Sequence, residues 1–487
     1  MSKNKRKTKK ISKTLKNVSI VFGITLLIVN ILLFYIIFDL NVIPTKYFTI
    51  ICCVLLPILI VLEAFLVIPK IKKGLKKTAI GISSVLVIVI SILLYYLYST
   101  NGFLNKFKFK NYQTESFYVI ALKNNGYEKI EDLDKAKIGT FDSSDKEYKE
   151  ALEKLDKKIN AEYTESENAD NLIFSLLEDE IDAIVLDDNY KTYADEQIKD
   201  FTNKTIIIYT IEIRTEKKDI SKKVDVSREP FNIYISGIDT SGNITNVSRS
   251  DVNMIMTVNP NTGKILLTSI PRDYYVQLHG TTGRKDKLTH SGTYGINMTI
   301  QTVEDLMGID INYYIRVNFT TLIKLVDKIG GIDVYSDKGF TPWTNNKIFI
   351  PKGNVHMNGE MALAFARERH AYTEGDRHRV QNQQDVLEAV FKKVTNTSTL
   401  ISSYTGILDT LDGSFETNMD KKVITSLAKF QINKMPSWNI EKISVNGTDS
   451  SNYTYSYPGQ KLYVMEPDMQ TVNEASNKIK EVLNQKE

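Results

Sequence analysis

The sequence VNMIMTVNPNTGKILLTSIPRD, residues 252–273, holds two apolar runs around a five-residue turn with Pro260 and Gly263. Apolar, β-branched runs separated by such a turn predict a β-hairpin. FNIYISGID at 231–239 predicts a strand before the hairpin, and runs of strand and helix pattern alternate after it up to residue 395. This alternation predicts an α/β fold with helices on the faces of a sheet and functional sites at strand ends.

Charged side chains stand at the ends of these three predicted strands. Asp239 follows the first strand, and Arg249 and Asp251 precede the second. Arg272 and Asp273 follow the third. Carboxylates at a strand edge are hard oxygen ligands that suit Mg²⁺ together with phosphate oxygens. Asp239 and Asp251 are therefore candidate metal ligands and Arg272 a candidate phosphate ligand, although each acid alone also fits a turn or cap.

Residues 365–384, FARERHAYTEGDRHRVQNQQ, hold the densest positive charge outside the N-terminal tail. On a strand or an extended exit, Arg367 and Arg369 point to one side and form a fork of two guanidinium groups. Planar guanidinium groups bind phosphate through paired hydrogen bonds. The segment is therefore a candidate phosphate site, and a solvated charged loop is the alternative.

Asp376 precedes a segment whose apolar residues recur at helical spacing, so we predict that it is the N-cap of a helix. Arg379 and Gln383 then share one face of that helix. The N–H groups at a helix N-terminus favour negative charge, which adds to the case for a phosphate group at this place.

The N-terminal region reads as a membrane anchor. A basic tail (1–16) is followed, within 17–98, by three apolar segments, each about 21 residues and long enough to cross a bilayer. The tail and the loop 69–77, which has five lysines, are cytoplasmic under the positive-inside rule. Three spans then place residues 99–487 outside the cell, so we predict a multi-pass protein of the cell membrane with an extracellular C-terminal region.

Charge and cysteine content exclude some classes of function. Residues 1–98 carry 14 Lys and Arg against two acids, whereas the remainder carries 48 against 56. The acidic remainder argues against nucleic-acid binding. Cys52 and Cys53 are the two cysteines of the chain and lie side by side in an apolar segment, so no disulfide framework is expected.

Four regions follow the membrane anchor. Residues 112–211 predict a small accessory α/β domain, in which no phosphate loop or metal cluster is evident. Residues 212–230 are charged and aperiodic, which is typical of a linker. The main domain occupies 231–395. The last region, 396–487, has helical pattern near 398–411, 419–432 and 470–484 and a strand pattern near 440–445.

Several motifs carry a resemblance to a known family. SGIDTSG, SRSDVNMIMTVNPNTGKILLTSIPRD, KDKLTHSGTYG, GEMALAFARER and GDRHRVQNQQ occur in this order. Together they resemble the LytR-CpsA-Psr family of bacterial cell-envelope enzymes. The accessory domain and the three spans are similar to those of capsule-type members.

The resemblance implies a catalytic domain at 231–395, an α/β/α sandwich with a mixed sheet, and an α/β extension at 396–487 packed on it. It implies a phosphotransferase that moves a glycopolymer, such as capsular polysaccharide, from undecaprenyl pyrophosphate to peptidoglycan with Mg²⁺ or Mn²⁺. Capsule polymerase or kinase components are compatible with it as partners. No nucleic-acid partner is expected.

The resemblance also implies roles for individual residues. Asp239 and Asp251 would hold the metal. The pyrophosphate would be held by Arg249, Arg272, Arg367, Arg369, Arg379 and Gln383. Catalysis would rest on Arg272, Arg367, Arg369 and Asp251. Asp376 matches a further acid of the family motif without a settled role, and the base is either Asp251 or Asp376.

Two other functions compete with the transferase. One is a membrane-anchored regulator of capsule synthesis or a transcription attenuator, but the cytoplasmic tail and loop are too short for a DNA-binding motif. The other is a polyprenyl-phosphate-binding scaffold that acts through the accessory domain without catalysis. Retention of the lipid without transfer would distinguish the scaffold from the enzyme.

Overall fold

The computed structural model describes residues 13–106, 111–141, 145–166, 168–238, 244–395 and 415–486. The chain divides into two compact units. One unit contains residues 1–108 and 420–437, and the other contains 109–419 and 438–487.

Three long helices dominate the first unit: α1 Lys13–Leu40, α2 Thr45–Val67 and α3 Lys73–Lys106. All three are long and apolar enough to cross a membrane, in the positions where the sequence predicts three spans. About half of their large apolar side chains are exposed, as expected for helices that face lipid on one side.

A fourth helix, α12 (Lys421–Lys434), belongs to this same unit. Its Lys421 Nζ donates to Asn101 Oδ1 at 2.7 Å, and its Lys429 Nζ donates to Asn41 Oδ1 at 2.6 Å. The sequence predicts that all of 396–487 packs on the catalytic domain, whereas the structure groups α12 with the N-terminal helices. The predicted helix at 398–411 lies outside the described residues.

The accessory domain is a five-stranded sheet with helices. Its strand order is β3-β2-β4-β1-β5, formed by β1 Tyr112–Leu122, β2 Lys137–Phe141, β3 Glu162–Ser166, β4 Ala183–Asp187 and β5 Thr205–Glu216. The helices are α4 Lys146–Asp156, α5 Ala169–Leu177, α6 Asp188–Gln197 and α7 Phe201–Lys204. Strand β5 runs into the predicted linker, because Ile213 is fully buried and pairs with Glu115 of β1.

The central sheet has six strands in the order β14-β11-β6-β7-β8-β15. They are β6 Phe231–Ile238, β7 Ser250–Asn259, β8 Lys264–Ile270, β11 Tyr313–Asn318, β14 Phe415–Thr417 and β15 Asn439–Ser444. Strands β7 and β8 form the predicted hairpin, whereas β11 lies parallel to β6 and β15 parallel to β8. The predicted α/β class with a mixed sheet is therefore confirmed.

The remaining elements of this unit cover the sheet and extend from it. Three two-stranded sheets comprise β9 Tyr275–Val276 with β10 Asp286–Lys287, β12 Ile332–Ser336 with β13 Gly353–Met357, and β16 Gly447–Tyr453 with β17 Lys461–Pro467. A 3₁₀ helix spans Leu288–Tyr294. The α-helices are α8 Ile296–Met307, α9 Phe319–Lys328, α10 Gly359–Arg367, α11 Asp376–Thr395 and α13 Met469–Asn484.

Two apolar cores hold these layers. Tyr234 and Ile255 of the central sheet pack with Val303 of α8 in a core that also includes α13. Val326 of α9 and Phe365 of α10 belong to a second core, which α11 and the β12–β13 sheet complete. Each fully buried aliphatic or aromatic side chain of this kind contributes about 1.5–3 kcal/mol to stability.

Candidate phosphate-binding site

The register of the central sheet brings three strand ends to one edge. Ile238, the last residue of β6, pairs with Ser250, the first residue of β7. Asn253 near the start of β7 pairs with Ile270, the last residue of β8. Asn318 ends β11 beside Ile238. The segments that the sequence marks as charged therefore meet at this edge.

Asp251, the predicted metal ligand, and Arg272, the predicted phosphate ligand, form an ion pair at this edge. Arg272 Nη1 donates to Asp251 Oδ1 at 2.9 Å, and Thr289 Oγ1 donates to the same oxygen at 3.1 Å. Burial would raise the pKa of Asp251, but attraction to Arg272 and Arg379 outweighs burial and places that pKa below its usual range. Asp251 is thus an ionised carboxylate at neutral pH.

The beginning of α11 supplies the second half of the cluster. Arg379 Nη2 lies 2.8 Å from Asp376 Oδ1, and Arg369 Nη1 lies 4.0 Å from the same oxygen. The helix begins at Asp376 after Gly375, which has a φ of 54°, so Asp376 is the first helical residue and not the predicted N-cap. The helix therefore starts one residue earlier than the side-chain pattern indicates.

Several buried donors in the cluster lack a partner. Among the described residues, the Nε atoms of Arg249, Arg272 and Arg379 are buried without a hydrogen-bond partner. Oδ1 of Asp376 is buried and likewise has no aligned donor, although Arg379 is close. A buried donor without a partner costs about 1–3 kcal/mol, so native proteins seldom leave several together without a ligand. Three N–H groups of this kind suit an oxyanion.

Arg367 and Arg369 do not form a strand fork. Arg367 is the last residue of α10, and its guanidinium carbon lies 4.4 Å from the ring centroid of Phe319, at the start of α9. The prediction was wrong because the run before Arg367 is rich in Ala and Met and begins with an N-cap, Asn358, which accepts from Met361 N.

Arg249 is directed toward the accessory domain. Its Nη1 donates to both carboxylate oxygens of Glu196, each at 2.8 Å. Glu196 belongs to α6 of the accessory domain. Arg249 still lies close enough to the cluster to lower the pKa of Asp251, after burial, Arg272 and Arg379. Gln383 lies four residues after Arg379 on α11 and is half-buried.

Two residues that hold the cluster had no role in the sequence analysis. Thr289 donates to Asp251, and Lys287 Nζ donates to Asp273 Oδ1 at 3.0 Å. Arg272 Nε lies 3.4 Å from Asp273 Oδ2. Both residues lie in the motif KDKLTHSGTYG, which was the available signal, but the spacing along the chain does not show which strand end they reach.

The predicted metal ligands are only partly described. Asp239 lies outside the described residues, whereas Asp251 is an ionised hard oxygen donor and so fits a divalent cation. Within the described ranges, the carboxylates that approach within 4.8 Å of one another as a group of three are Glu115, Asp145 and Glu147. They lie in the accessory domain, where the sequence shows no such cluster.

The fold and the cluster define an α/β protein with buried arginines and carboxylates at one edge of a mixed sheet. Residues 200–478 match the model of the LytR_cpsA_psr family. The chain belongs to this family, which confirms the resemblance carried by its motifs.

Characterised relatives share this region. One relative is the polyisoprenyl-teichoic acid--peptidoglycan teichoic acid transferase TagU of Bacillus mycoides. The two sequences are 37% identical over 220 residues, and this match covers 45% of this chain and 69% of TagU. This chain is 32% identical over 261 residues to the corresponding transferase TagT of Bacillus subtilis, covering 51% and 79%. The structure of protein gbs0355 from Streptococcus agalactiae is 29% identical, covers 53% of this chain and 89% of that one, and has a TM-score of 0.46.

Proposed function

We propose that this protein is a cell-envelope phosphotransferase that moves a glycopolymer from undecaprenyl pyrophosphate to peptidoglycan. The observation that carries the proposal is the set of buried arginine Nε–H donors without partners beside the ionised Asp251. Family membership and the names of the related transferases support the same reaction. The similarity of the three spans and accessory domain to capsule-type members favours capsular polysaccharide as the glycopolymer.

The chemistry requires stabilisation of charge on phosphate. An acceptor hydroxyl attacks the phosphorus that carries the glycan. The bond between this phosphorus and the bridging oxygen of the pyrophosphate breaks, and polyprenyl phosphate leaves. Arg272 and Arg379 would bind the phosphate oxygens through their buried donors, and Arg367 and Arg369 would add charge from the ends of α10 and its following loop. Arg249 and Gln383 would complete the pyrophosphate site.

A base must accept the proton of the acceptor hydroxyl, and Asp251 and Asp376 are the two candidates for this role. Asp251 is held by Arg272 and Thr289, which fixes its orientation. Asp239 and Asp251 would hold Mg²⁺ or Mn²⁺, which would draw negative charge from the phosphate oxygens when bound. The protein would lie in the cell membrane with the site outside, where the acceptor is found.

Transfer by the full-length protein in detergent tests the proposal. The substrates are a polyprenyl-pyrophosphate-linked oligosaccharide and peptidoglycan fragments, and the product is detected by mass spectrometry. We expect Arg272→Ala to lower the rate about 100-fold or more, because it removes the central phosphate donor. Arg228→Ala, whose side chain is 84% exposed, is the matched control and should behave as wild type. Equal rates for wild type and Arg272→Ala would refute the proposal.

Binding without transfer would instead favour the polyprenyl-phosphate-binding scaffold or regulator. In that case, wild type would retain the lipid, Arg272→Ala would not, and no glycan–peptidoglycan product would form with any acceptor fragment. The two functions therefore give different products in one experiment.

A further inference from the structure

A row of exposed tyrosines lies beside the phosphate site. Tyr453 and Tyr463 stand on the outward side of the β16–β17 hairpin and are 42% and 47% exposed. Tyr455, directly after β16, is 44% exposed. We call the surface that they share with two neighbouring rings the tyrosine face; its members are Tyr275, Tyr294, Tyr453, Tyr455 and Tyr463.

Several contacts connect the tyrosines to one another and to the neighbouring chain. Tyr275 Oη donates to the carbonyl of Tyr453 at 2.8 Å, which joins β9 to the hairpin. The N–H of Tyr455 donates to the carbonyl of Lys285 at 2.9 Å. Tyr294 packs edge-on against Tyr455, with ring centroids 6.2 Å apart. These contacts join Tyr275 to the β16–β17 hairpin and Tyr294 to Tyr455, and the strand register places Tyr453 and Tyr463 on one face of the hairpin.

Basic side chains accompany these rings. The guanidinium carbon of Arg284 lies 5.5 Å from the centre of the Tyr453 ring, and Lys461 Nζ lies 5.8 Å from the same ring. The Nζ atom of Lys285 lies 5.8 Å from the centre of the Tyr275 ring, and the Nζ atom of Lys287 lies 5.8 Å from the centre of the Tyr463 ring. Asp449 also belongs to this surface, since its Oδ1 accepts from Tyr463 Oη at 2.9 Å. Residues 99–487 carry more acids than bases, so four cations beside these rings are notable in this region.

The tyrosine face begins at the phosphate site. Lys287 contacts the Tyr463 ring and also donates to Asp273, next to Arg272. Arg377, in the first turn of α11, donates through Nη2 to the carbonyl of Gly447 at 2.9 Å, at the start of β16. The hairpin that carries the rings is thus attached to the same helix that places Arg379.

The chemistry of this surface fits an anionic chain of sugar rings. Flat tyrosine rings offer a large rigid contact area with little loss of side-chain entropy, and a pyranose ring can stack on them. Flanking cations attract carboxylate groups. The donor is already held through its pyrophosphate by the arginines, whereas the acceptor needs a surface that delivers its hydroxyl to the phosphorus.

We propose that the tyrosine face binds the acceptor, a peptidoglycan glycan strand, and guides one of its hydroxyls to the phosphate site. A peptidoglycan strand presents a sugar ring at every step and carries carboxylates on its peptides, which match the rings and the cations. The proposal rests on the proposed function, because it assigns the acceptor of that reaction.

Binding of the full-length protein to insoluble peptidoglycan, measured by co-sedimentation, tests the proposal. We expect Tyr453→Ala combined with Tyr463→Ala to weaken binding and to raise the KM for peptidoglycan fragments by about tenfold, since two stacking rings are lost. Tyr453→Trp with Tyr463→Trp should restore binding, because a ring remains. Tyr335→Ala removes a tyrosine that is 60% exposed on the separate β12–β13 sheet and is the matched control.

Further readouts separate the other occupants. The affinity for polyprenyl pyrophosphate and for vesicles of phosphatidylglycerol should be unchanged in the double variant. A loss of donor affinity would assign the surface to the donor glycan, a loss of vesicle binding would assign it to the membrane, and unchanged peptidoglycan binding would leave it without a role; each outcome would overturn the proposal. Tyrosine-dependent strand binding without any transfer would refute the proposed function and leave this surface standing.

Discussion

Arg272 connects the parts of the phosphate site, because its guanidinium group pairs with Asp251 and lies beside Asp273. Its Nε–H lacks an aligned hydrogen bond, although the Nε atom lies 3.4 Å from Asp273 Oδ2. Under the proposed function, the planar geometry of the guanidinium group matters as well as its charge.

Replacing Arg272 with Lys separates geometry from charge. The lysine retains the positive charge beside Asp251 but cannot make two parallel hydrogen bonds to phosphate. We expect a fall of about tenfold in the transfer rate, smaller than the fall for Arg272→Ala. Single-turnover transfer measures it, and a Lys variant with wild-type rate would show that charge alone suffices.

Glu196 accepts from Arg249 Nη1 through both carboxylate oxygens, so under the proposed function it would compete with the substrate phosphate for Arg249. Glu196→Gln removes the negative charge, so we expect the Kd for polyprenyl pyrophosphate to fall severalfold, by about 1 kcal/mol or less because the carboxylate is partly exposed. Equilibrium binding measures the change.

Glu180→Gln, at an exposed position of the same domain, is the matched control and should bind as wild type. A weaker affinity in Glu196→Gln would mean that the pair positions Arg249 for the ligand and does not compete with it.

At the level of elements, strand β1 and the beginning of α4 bring together Glu115, Asp145 and Glu147. Burial, followed by repulsion from Glu147 and Asp145, raises the pKa of Glu115 to about 7. Because the folded-state pKa is raised, the stabilisation from Glu115 is fully present below pH 4.5 and is lost as pH rises through 7.

Glu115→Gln should therefore stabilise the protein at pH 8 and change little at pH 5. The expected gain in the free energy of unfolding at pH 8 is about 2 kcal/mol, because the amide carries no charge to desolvate. Thermal unfolding of the full-length protein in detergent at both pH values measures it. If the difference in the free energy of unfolding between Glu115→Gln and wild type were the same at pH 5 and pH 8, the raised pKa of Glu115 would not be its cause.

The whole molecule is organised by three spans whose charge pattern predicts an extracellular C-terminal region. In a background in which Cys52 and Cys53 are replaced by Ser, Lys199→Cys and Lys70→Cys place single thiols in the accessory domain and in the loop between α2 and α3. We expect a membrane-impermeant maleimide to label the Lys199→Cys variant in intact cells, and the Lys70→Cys variant only after permeabilisation. The reverse pattern would invert the topology and remove peptidoglycan as acceptor.

Sequence pattern within single segments predicted the hairpin and the three spans, because turn residues and apolar length determine these elements locally. The alternation and turn at 252–273 predicted the hairpin, and its pairing placed Arg272 beside Asp251. Apolar length predicted the three spans.

Contacts between distant segments were beyond the reach of sequence pattern. The pairing of Arg249 with Glu196 and the meeting of Glu115 with Glu147 depend on how whole elements pack. The same holds for α12, which groups with the apolar N-terminal helices through Lys421, Lys429 and Ile424. Arg367 was predicted on a strand or extended segment but ends helix α10, because the Ala-rich run before it has high helix propensity. The spacing of the two arginines does not reveal this propensity.

Under the proposed function, arginines of this site catalyse transfer of a phosphoryl-linked glycan. A donor with ³²P in the phosphate attached to the glycan tests this, because the label can be followed into peptidoglycan with full-length wild type and Arg272→Ala. We expect label and glycan to reach peptidoglycan together with wild type, and neither to do so at a comparable rate with Arg272→Ala. Transfer of glycan without the label, or equal transfer by both proteins, would contradict it.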